Sequence, residues 1–381
     1  MIYADNAATT RLSDIALEHM LPFLQKQYGN ASSAYSFGSK AKRAIETARS
    51  QVASAIHANL EEIFFTSGGS ESNSWVLRGV AESVDRESIH IITSSIEHNS
   101  VLNACHVLEA KGVEITYLPV DNFGLVSIDD VKEGIRLNTK LVSIMLANNE
   151  LGTIQPIAEI GQYLRERNIL FHTDAVQAVG HIPVNVSELY VDFLTASAHK
   201  FNGAKGTGIL YKRSGMKLPQ LVFGGEQEQG ARAGTENVAS IVAAGYALDE
   251  CVLDIRITAE KLSTFVQITI DGIRSKVPNI CVNGYAGNNL PGIVNISFDS
   301  ISGESLMHLL DLKGICVSTS SACMSSRDEP SHVLMAIGLS EKQAKSTIRI
   351  SYGRYNTIRE VESIINAICE AHIKILGATS K

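Results

Sequence analysis

Between residues 39 and 57 the apolar residues Ala41, Ala44, Ile45, Ala48, Val52, Ala55 and Ile56 recur at helical spacing, and Ile63-Phe64-Phe65-Thr66 then reads as a short buried strand. Helix followed by strand is the opening of a longer alternation. Strand-like runs follow at Ile89 to Thr93, Val113 to Leu118, Leu141 to Ala147, Ile169 to Thr173, Phe193 to Ala196 and Gly208 to Tyr211, with helical patterns between several of them. Such an order predicts an α/β fold on a mostly parallel sheet covered on both faces. A long helical pattern runs from Val238 to Arg274, and after it the rhythm changes. Strands are expected at Val294 to Phe298 and Ile348 to Tyr352, then a closing helix on which Val361, Ile364, Ile365, Ile368, Ala371 and Ile375 share one face. That tail reads as a smaller α+β domain, with the boundary near residue 255.

A length of 381 residues suits about two domains. With 45% hydrophobic and 19% charged residues the chain has the composition of packed cores, which sets aside disorder and low-complexity scaffolds. Its 33 basic and 40 acidic residues give a formal charge of −7 without long single-sign runs, which argues against a nucleic-acid backbone or an anionic membrane as the main partner. Residues 1–10 carry neither a basic segment nor an apolar one, and no later stretch approaches the length of a membrane span, so a cytoplasmic protein is the expectation. The six cysteines, Cys105, Cys251, Cys281, Cys316, Cys323 and Cys369, are scattered, with no C-x-x-C pair. Reduced thiols and no metal site are expected.

Chemistry concentrates where strands end. Thr195-Ala-Ser-Ala-His-Lys200 follows an apolar strand and leads into a glycine-rich turn, where a sheltered lysine would have the lowered pKa that Schiff-base chemistry requires. Read alone, Lys200 is a surface lysine at a strand end. Leu170-Phe-His-Thr-Asp174 ends a strand in a carboxylate able to hold a pyridinium proton, or to cap the next helix. A strand-end Asp about one βα unit before a strand-end lysine is the pairing that pyridoxal 5'-phosphate needs. Phe65-Thr-Ser-Gly-Gly69-Ser70-Glu71 sets small residues between a strand and a helix, where backbone N–H groups can face a phosphate; it is neither a P-loop nor a dinucleotide fingerprint.

Four further positions complete the candidates. His98 opens a helical pattern and could stack on a flat heterocycle, or simply cap the helix. Asn149 ends a strand in an amide that could meet a phenolic oxygen, or serve a turn. Cys323 is the one thiol set in a long loop of small residues, where it could reach a bound substrate or remain a passive surface group. Arg349 lies within a strand as a carboxylate clamp or an ion-paired strand residue.

In order, and over essentially the whole chain, these segments resemble the NifS/IscS-type cysteine desulfurases of the fold-type I pyridoxal-phosphate enzymes, in the class V aminotransferase family. The resemblance is carried by Tyr3-Ala-Asp-Asn-Ala-Ala-Thr-Thr10, the Thr66-to-Asn73 loop, Glu97-His98, Asn148-Asn-Glu150, His172-Thr-Asp-Ala-Val-Gln177, Ser197-Ala-His-Lys200, Gly224 to Thr235 and Ser320-Ser-Ala-Cys323. It implies a large cofactor-binding domain over residues 14–255, with residues 1–13 and 256–381 forming the small domain that carries the cysteine loop. Lys200 would hold the cofactor covalently, Asp174 would pair with its ring nitrogen, and His98 would stack on the ring. Asn149 and Gln177 would flank the ring oxygen. Gly69, Ser70, Ser197 and His199 would bind the phosphate, and Thr235 would reach it from a neighbouring subunit, making a homodimer. Arg349 would clamp the substrate carboxylate.

The implied reaction converts L-cysteine to L-alanine and leaves a persulfide on Cys323 for a sulfur acceptor, such as an iron-sulfur scaffold or a tRNA-thiolation enzyme. Selenocysteine lyase, another pyridoxal-phosphate lyase or aminotransferase, and an inactive homologue kept as a binding subunit are the alternatives. The sequence departs from the family's pattern at Ala31, Tyr35, Gly69-Ser70, Ala204, Glu226 and Gln229, positions that bear on loop stiffness, the dimer-facing segment and substrate entry.

Overall fold

The computed structural model describes residues 1–83, 89–284, 287–299, 301–319 and 329–379. In chain order the elements are β1 (Ile2–Tyr3), α1 (Asp14–Gln25), α2 (Ser36–Ala55), β2 (Ile63–Thr66), α3 (Gly69–Glu82), β3 (His90–Ser94), α4 (Asn99–Glu109), β4 (Glu114–Leu118), α5 (Ile128–Gly134), β5 (Thr139–Ser143), α6 (Ile157–Arg165), β6 (Leu170–Asp174), β7 (Phe193–Ser197) and β8 (Gly208–Lys212). They continue with α7 (Val238–Leu253), α8 (Ile255–Arg274), β9 (Ile280–Asn283), β10 (Ile293–Phe298), α9 (Gly303–Asp311), β11 (Ile315–Cys316), α10 (His332–Ala336), α11 (Glu341–Lys345), β12 (Thr347–Ser351) and α12 (Ile358–Thr379).

Seven strands form one sheet in the order β2-β8-β7-β6-β5-β3-β4. Only β8 runs against its neighbours; the other pairings are parallel. Apart from the edge strand β4, which is partly exposed, the apolar runs of the sequence are strands buried on both faces, and the predicted α/β class with a mostly parallel sheet is what the chain adopts. Because the parallel strands share a direction, the carboxyl ends of β2, β3, β5, β6 and β7 lie along one edge, where an α/β sheet gathers its ligands. Gly208 opens β8 hard against the turn after β2. A Cβ there would lie 2.5 Å from the Gly68 carbonyl carbon, so no larger residue fits without moving that turn.

Two other sheets are smaller. β10 lies between β9 and β12 with antiparallel pairing, and β1 pairs in parallel with β11. One apolar cluster joins α2, α6, α7 and the inner strands through residues such as Ile45, Ile160, Leu194 and Ala244. Another joins α8, α9, β10, β12 and α12 through Leu262, Val294, Leu306, Ile350 and Ile364.

Two sequence expectations change, and three strands were not expected. The pattern from Val238 to Arg274 is two helices, because the chain leaves helical geometry at Asp254, whose carboxylate pairs with Arg354 at 2.6 Å. No Gly or Pro marks that break, and the contact spans 100 residues. The strand expected at Leu141 to Ala147 is β5, ending at Ser143; the next residues stay extended, with Ile144 and Leu146 donating to the His172 and Asp174 carbonyls. The two-residue strands β1 and β11, and β9, have no periodicity long enough to announce them. Among the described residues no helix is long and apolar enough to cross a membrane.

Candidate active site

A cavity of about 480 Å³ opens at the carboxyl edge of the large sheet. It is lined by ten of the residues singled out above: Gly69, Ser70, His98, Asn149, Asp174, Gln177, Ser197, His199 and Lys200, with Arg349 from the three-stranded sheet. These side chains come from positions 69 to 349, and the fold alone brings them together.

Lys200 ends the short turn after β7. Its Nζ donates to the carbonyls of Ala7 at 2.6 Å and Ala8 at 2.8 Å, so the N-terminal segment holds the amine at the cavity wall. That segment is itself pinned: Thr10 donates through N and Oγ1 to the His199 carbonyl, and Asn202 N donates back to Thr10 Oγ1. Gln177 Nε2 shares the Ala7 carbonyl at 2.9 Å.

Asp174 ends β6, buried. Its Oδ2 accepts from Asn73 Nδ2 at 2.7 Å and its Oδ1 from Val176 N at 2.9 Å. The same Asn73 Nδ2 donates to Ser100 Oγ, which lies 2.8 Å from His98 Nδ1. A chain of hydrogen bonds therefore links the carboxylate to the imidazole. Of the two things the sequence allowed His98, the structure shows the cap: its Nδ1 accepts from Ser100 N at 3.1 Å at the start of α4, and the residue also lines the cavity. Burial, with Lys200 in support and Asp174 opposing, lowers its pKa, so the ring is neutral. His199, held through Nδ1 to Thr9 Oγ1 at 3.1 Å, is pushed down to about 4 by burial and by the Lys200 and Lys205 ammonium groups.

Gly69 and Ser70 open the 14-residue helix α3 on the cavity, giving it the N–H groups and the positive end of a helix. Glu71, one residue further, pairs with Arg232 at 2.9 Å and ties this turn to the Gly224 to Thr235 loop. Arg349 on β12 donates to Asp5 Oδ1 at 2.7 Å and to the Asn149 carbonyl at 2.9 Å, so it is the ion-paired strand residue that the sequence allowed, and it also lines the cavity. One expected residue among those described is not in the cavity lining. Thr235 is exposed and lies outside the lining of its own chain's site. Cys323 lies outside the described residues; Ser318 and Thr319, just before that stretch, line the cavity.

Residues 2–364 match the Aminotransferase class-V family. The chain belongs to that family. Cysteine desulfurase IscS of Dictyoglomus turgidum is 48% identical over 367 residues, covering 96% of this chain and 93% of the relative. A solved NifS-like protein superposes with a TM-score of 0.91 at 38% identity, covering 97% of this chain and 98% of that one. A structure of SspA in complex with cysteine gives a TM-score of 0.84 at 38% identity, covering 94% and 100%.

Class-V aminotransferases of this kind depend on pyridoxal phosphate, and the residues present fit it. The cavity offers a primary amine, a buried carboxylate and a helix N-terminus, which answer an aldehyde, a pyridine nitrogen and a phosphate in turn. Asn73 Oδ1 and Arg349 Nε, from two lining residues, are buried polar atoms without a protein partner, which a polar ligand would satisfy. Sequence reasoning assigned no role to Asn73, Ser100, Asp5 or the Ala7 and Ala8 carbonyls. Only Asn73 carried a signal, since it lies four residues after Gly69 on the same side of α3.

Proposed function

We propose that this protein is a pyridoxal-phosphate-dependent cysteine desulfurase that converts L-cysteine to L-alanine and passes the sulfur, through a persulfide on Cys323, to an acceptor protein. The observation that carries the reading is the meeting of Lys200, Asp174 and the α3 N-terminus around one cavity. The cysteine named in the SspA structure, a protein 38% identical, supports the substrate.

On this reading Lys200 holds the cofactor aldehyde through Nζ and afterwards is the nearest amine for moving protons at the substrate carbon. Asp174, fixed by Asn73 and Val176, keeps a proton on the ring nitrogen, and neutral His98 lies against the ring. Asn149 and Gln177 flank the ring oxygen. Gly69, Ser70, Ser197 and His199 hold the phosphate, joined by Thr235 of a neighbouring subunit; its exposure outside its own cavity supports that arrangement and a homodimer. Arg349 meets the substrate carboxylate with a guanidinium whose Nε is still unpartnered. When bound, pyridoxal phosphate supplies the electron sink that weakens the substrate's Cβ–S bond. The Cys323 thiolate takes the sulfur as that bond breaks, so that cysteine and an enzyme thiol give alanine and an enzyme persulfide, with every atom accounted for.

A cytoplasmic enzyme serving an iron-sulfur scaffold or a tRNA-thiolation partner is the setting this reading favours. Product analysis with L-cysteine tests it: alanine together with a protein-bound persulfide is expected, whereas pyruvate or a transaminated acceptor overturns it.

A further inference from the structure

His332 lies at the start of α10, 234 residues from His98, and nothing in the reaction above uses it. Its Nε2 is 3.0 Å from the main-chain carbonyl of Glu97 and donates to it. Burial, foremost, lowers its pKa, with the hydrogen bond to Glu97 opposing and the adjacent His98 in support, so it is a neutral donor.

The turn that ends in His98 is braced from other sides too. Glu97 Oε1 accepts from Ser94 Oγ at 2.6 Å and from Met145 N at 2.9 Å, and Asn148 Nδ2 donates to the Ile96 carbonyl at 3.1 Å. All of those partners sit within the large sheet or its strand ends. The α10 side is different. There Ser331 donates to Glu150 Oε2 at 2.6 Å while also capping α10, and His332 reaches the Glu97 carbonyl. The carbonyl is one bond from the His98 amide nitrogen, so its direction sets the plane of the peptide from which the imidazole projects.

We propose that His332 is a positioning residue: by fixing the Glu97-His98 peptide from α10 it orients the His98 imidazole in the cavity. The proposal rests on the cofactor reading only for what His98 faces; the peptide itself is fixed with or without a ligand. His332 touches neither the cavity nor the reacting atoms. Its removal therefore disturbs the site through His98 and leaves the Arg349 clamp on β12 as it was.

The test compares His332→Leu, which removes the donor, with His332→Gln, whose amide nitrogen can reach the same carbonyl. Hydrogen exchange is followed first on the cofactor-free protein at the amides of Ser100, Val101 and Leu102, which are held by His98 Nδ1 and by the His98 carbonyl. His332→Leu is expected to speed their exchange roughly fivefold to tenfold, the size of one lost hydrogen bond, and His332→Gln to restore it. After reconstitution, the dissociation constant for pyridoxal phosphate rises by a similar factor in His332→Leu while the KM for cysteine stays level. Unchanged exchange in His332→Leu overturns the inference. So does faster exchange spread equally through α10 and α11, or a KM that rises with the dissociation constant, since both mark general loosening. A wild-type protein that shows the exchange pattern but binds no pyridoxal phosphate leaves the positioning of His98 standing and defeats the proposed function instead.

Discussion

Lys200 is held by two main-chain carbonyls contributed by residues 7 and 8, which keeps its Nζ in place before any ligand arrives. Lys200→Ala is expected to abolish the visible absorption band that the reconstituted enzyme acquires, and to lower turnover by at least about a thousandfold, of the order seen when a covalent catalyst is removed. An absorption scan with and without the substitution checks both. Glu97 makes a second residue-scale prediction. Its carboxyl is fully buried, and desolvation pushes its pKa up to about 8, aided by Asp174, against the lowering hydrogen bonds from Ser94 and Met145. Between the ordinary carboxylate value and about 8 the folded protein keeps a proton that the unfolded chain has released, so Glu97 costs stability as pH rises through that window. Buried His172, held near 3, and His181 and His199, held near 4, act with the opposite sign: stability falls as pH drops below the ordinary imidazole value of 6.5. The contributions of these four groups cross near pH 6.5, where the cofactor-free protein is expected to be most stable. Glu97→Gln keeps the acceptor for Ser94 and Met145 and should flatten the decline between pH 6.5 and 8 in urea titrations; an unaltered slope would assign that decline to other groups.

At the scale of elements, β2 and α2 are joined to the Gly224 to Thr235 loop by a buried ion pair. Arg49 donates to both Glu228 oxygens at 2.8 and 2.9 Å and to the Ile63 carbonyl at 2.7 Å, while Glu228 Oε2 also accepts from Phe65 N. Glu228 and Gln229 adopt left-handed backbone, with φ of 48° and 58°, so this pairing holds the loop in a conformation that non-glycine residues avoid. Glu228→Ala would leave the guanidinium buried and alone, and is expected to destabilise the fold by about 3–5 kcal/mol in urea unfolding. Glu228→Gln keeps the acceptor for Phe65 and should lose less. The buried strands were legible in sequence because burial on both faces makes each a compact apolar run, as at Ile63 to Thr66. The ends of elements were less so. The stop at Asp254 falls on no Gly or Pro, and beyond Ser143 the chain stays extended against β6, so neither end shows in the local pattern.

For the whole molecule, the site's composition was readable and its wiring was not. Gly69, Asp174 and Lys200 each stand at a strand or helix end within a recognisable local pattern, so their candidacy followed from periodicity and residue type together, whereas Ser197 entered through the family resemblance. Asp5 gave no such sign, because its role depends on Arg349 lying beside it across 344 residues. Assembly adds a prediction at this scale. If Thr235 of one subunit completes the site of another, mixing Thr235→Val with Lys200→Ala chains should restore part of the activity that neither homodimer shows, measured after dissociation and reassembly. Cys323→Ser should bind cofactor normally yet form no persulfide, as mass spectrometry after a single exposure to cysteine would record.

By itself the sequence determined most of the longer elements and the chemical inventory, because burial period, capping residues and side-chain type act over a few neighbouring positions. Only the tertiary structure decided which carbonyls hold Lys200, that His98 caps a helix while facing the cavity, and that Arg49 meets Glu228. Those contacts join residues up to hundreds of positions apart, and no local pattern encodes where two distant segments will lie once the sheet has formed.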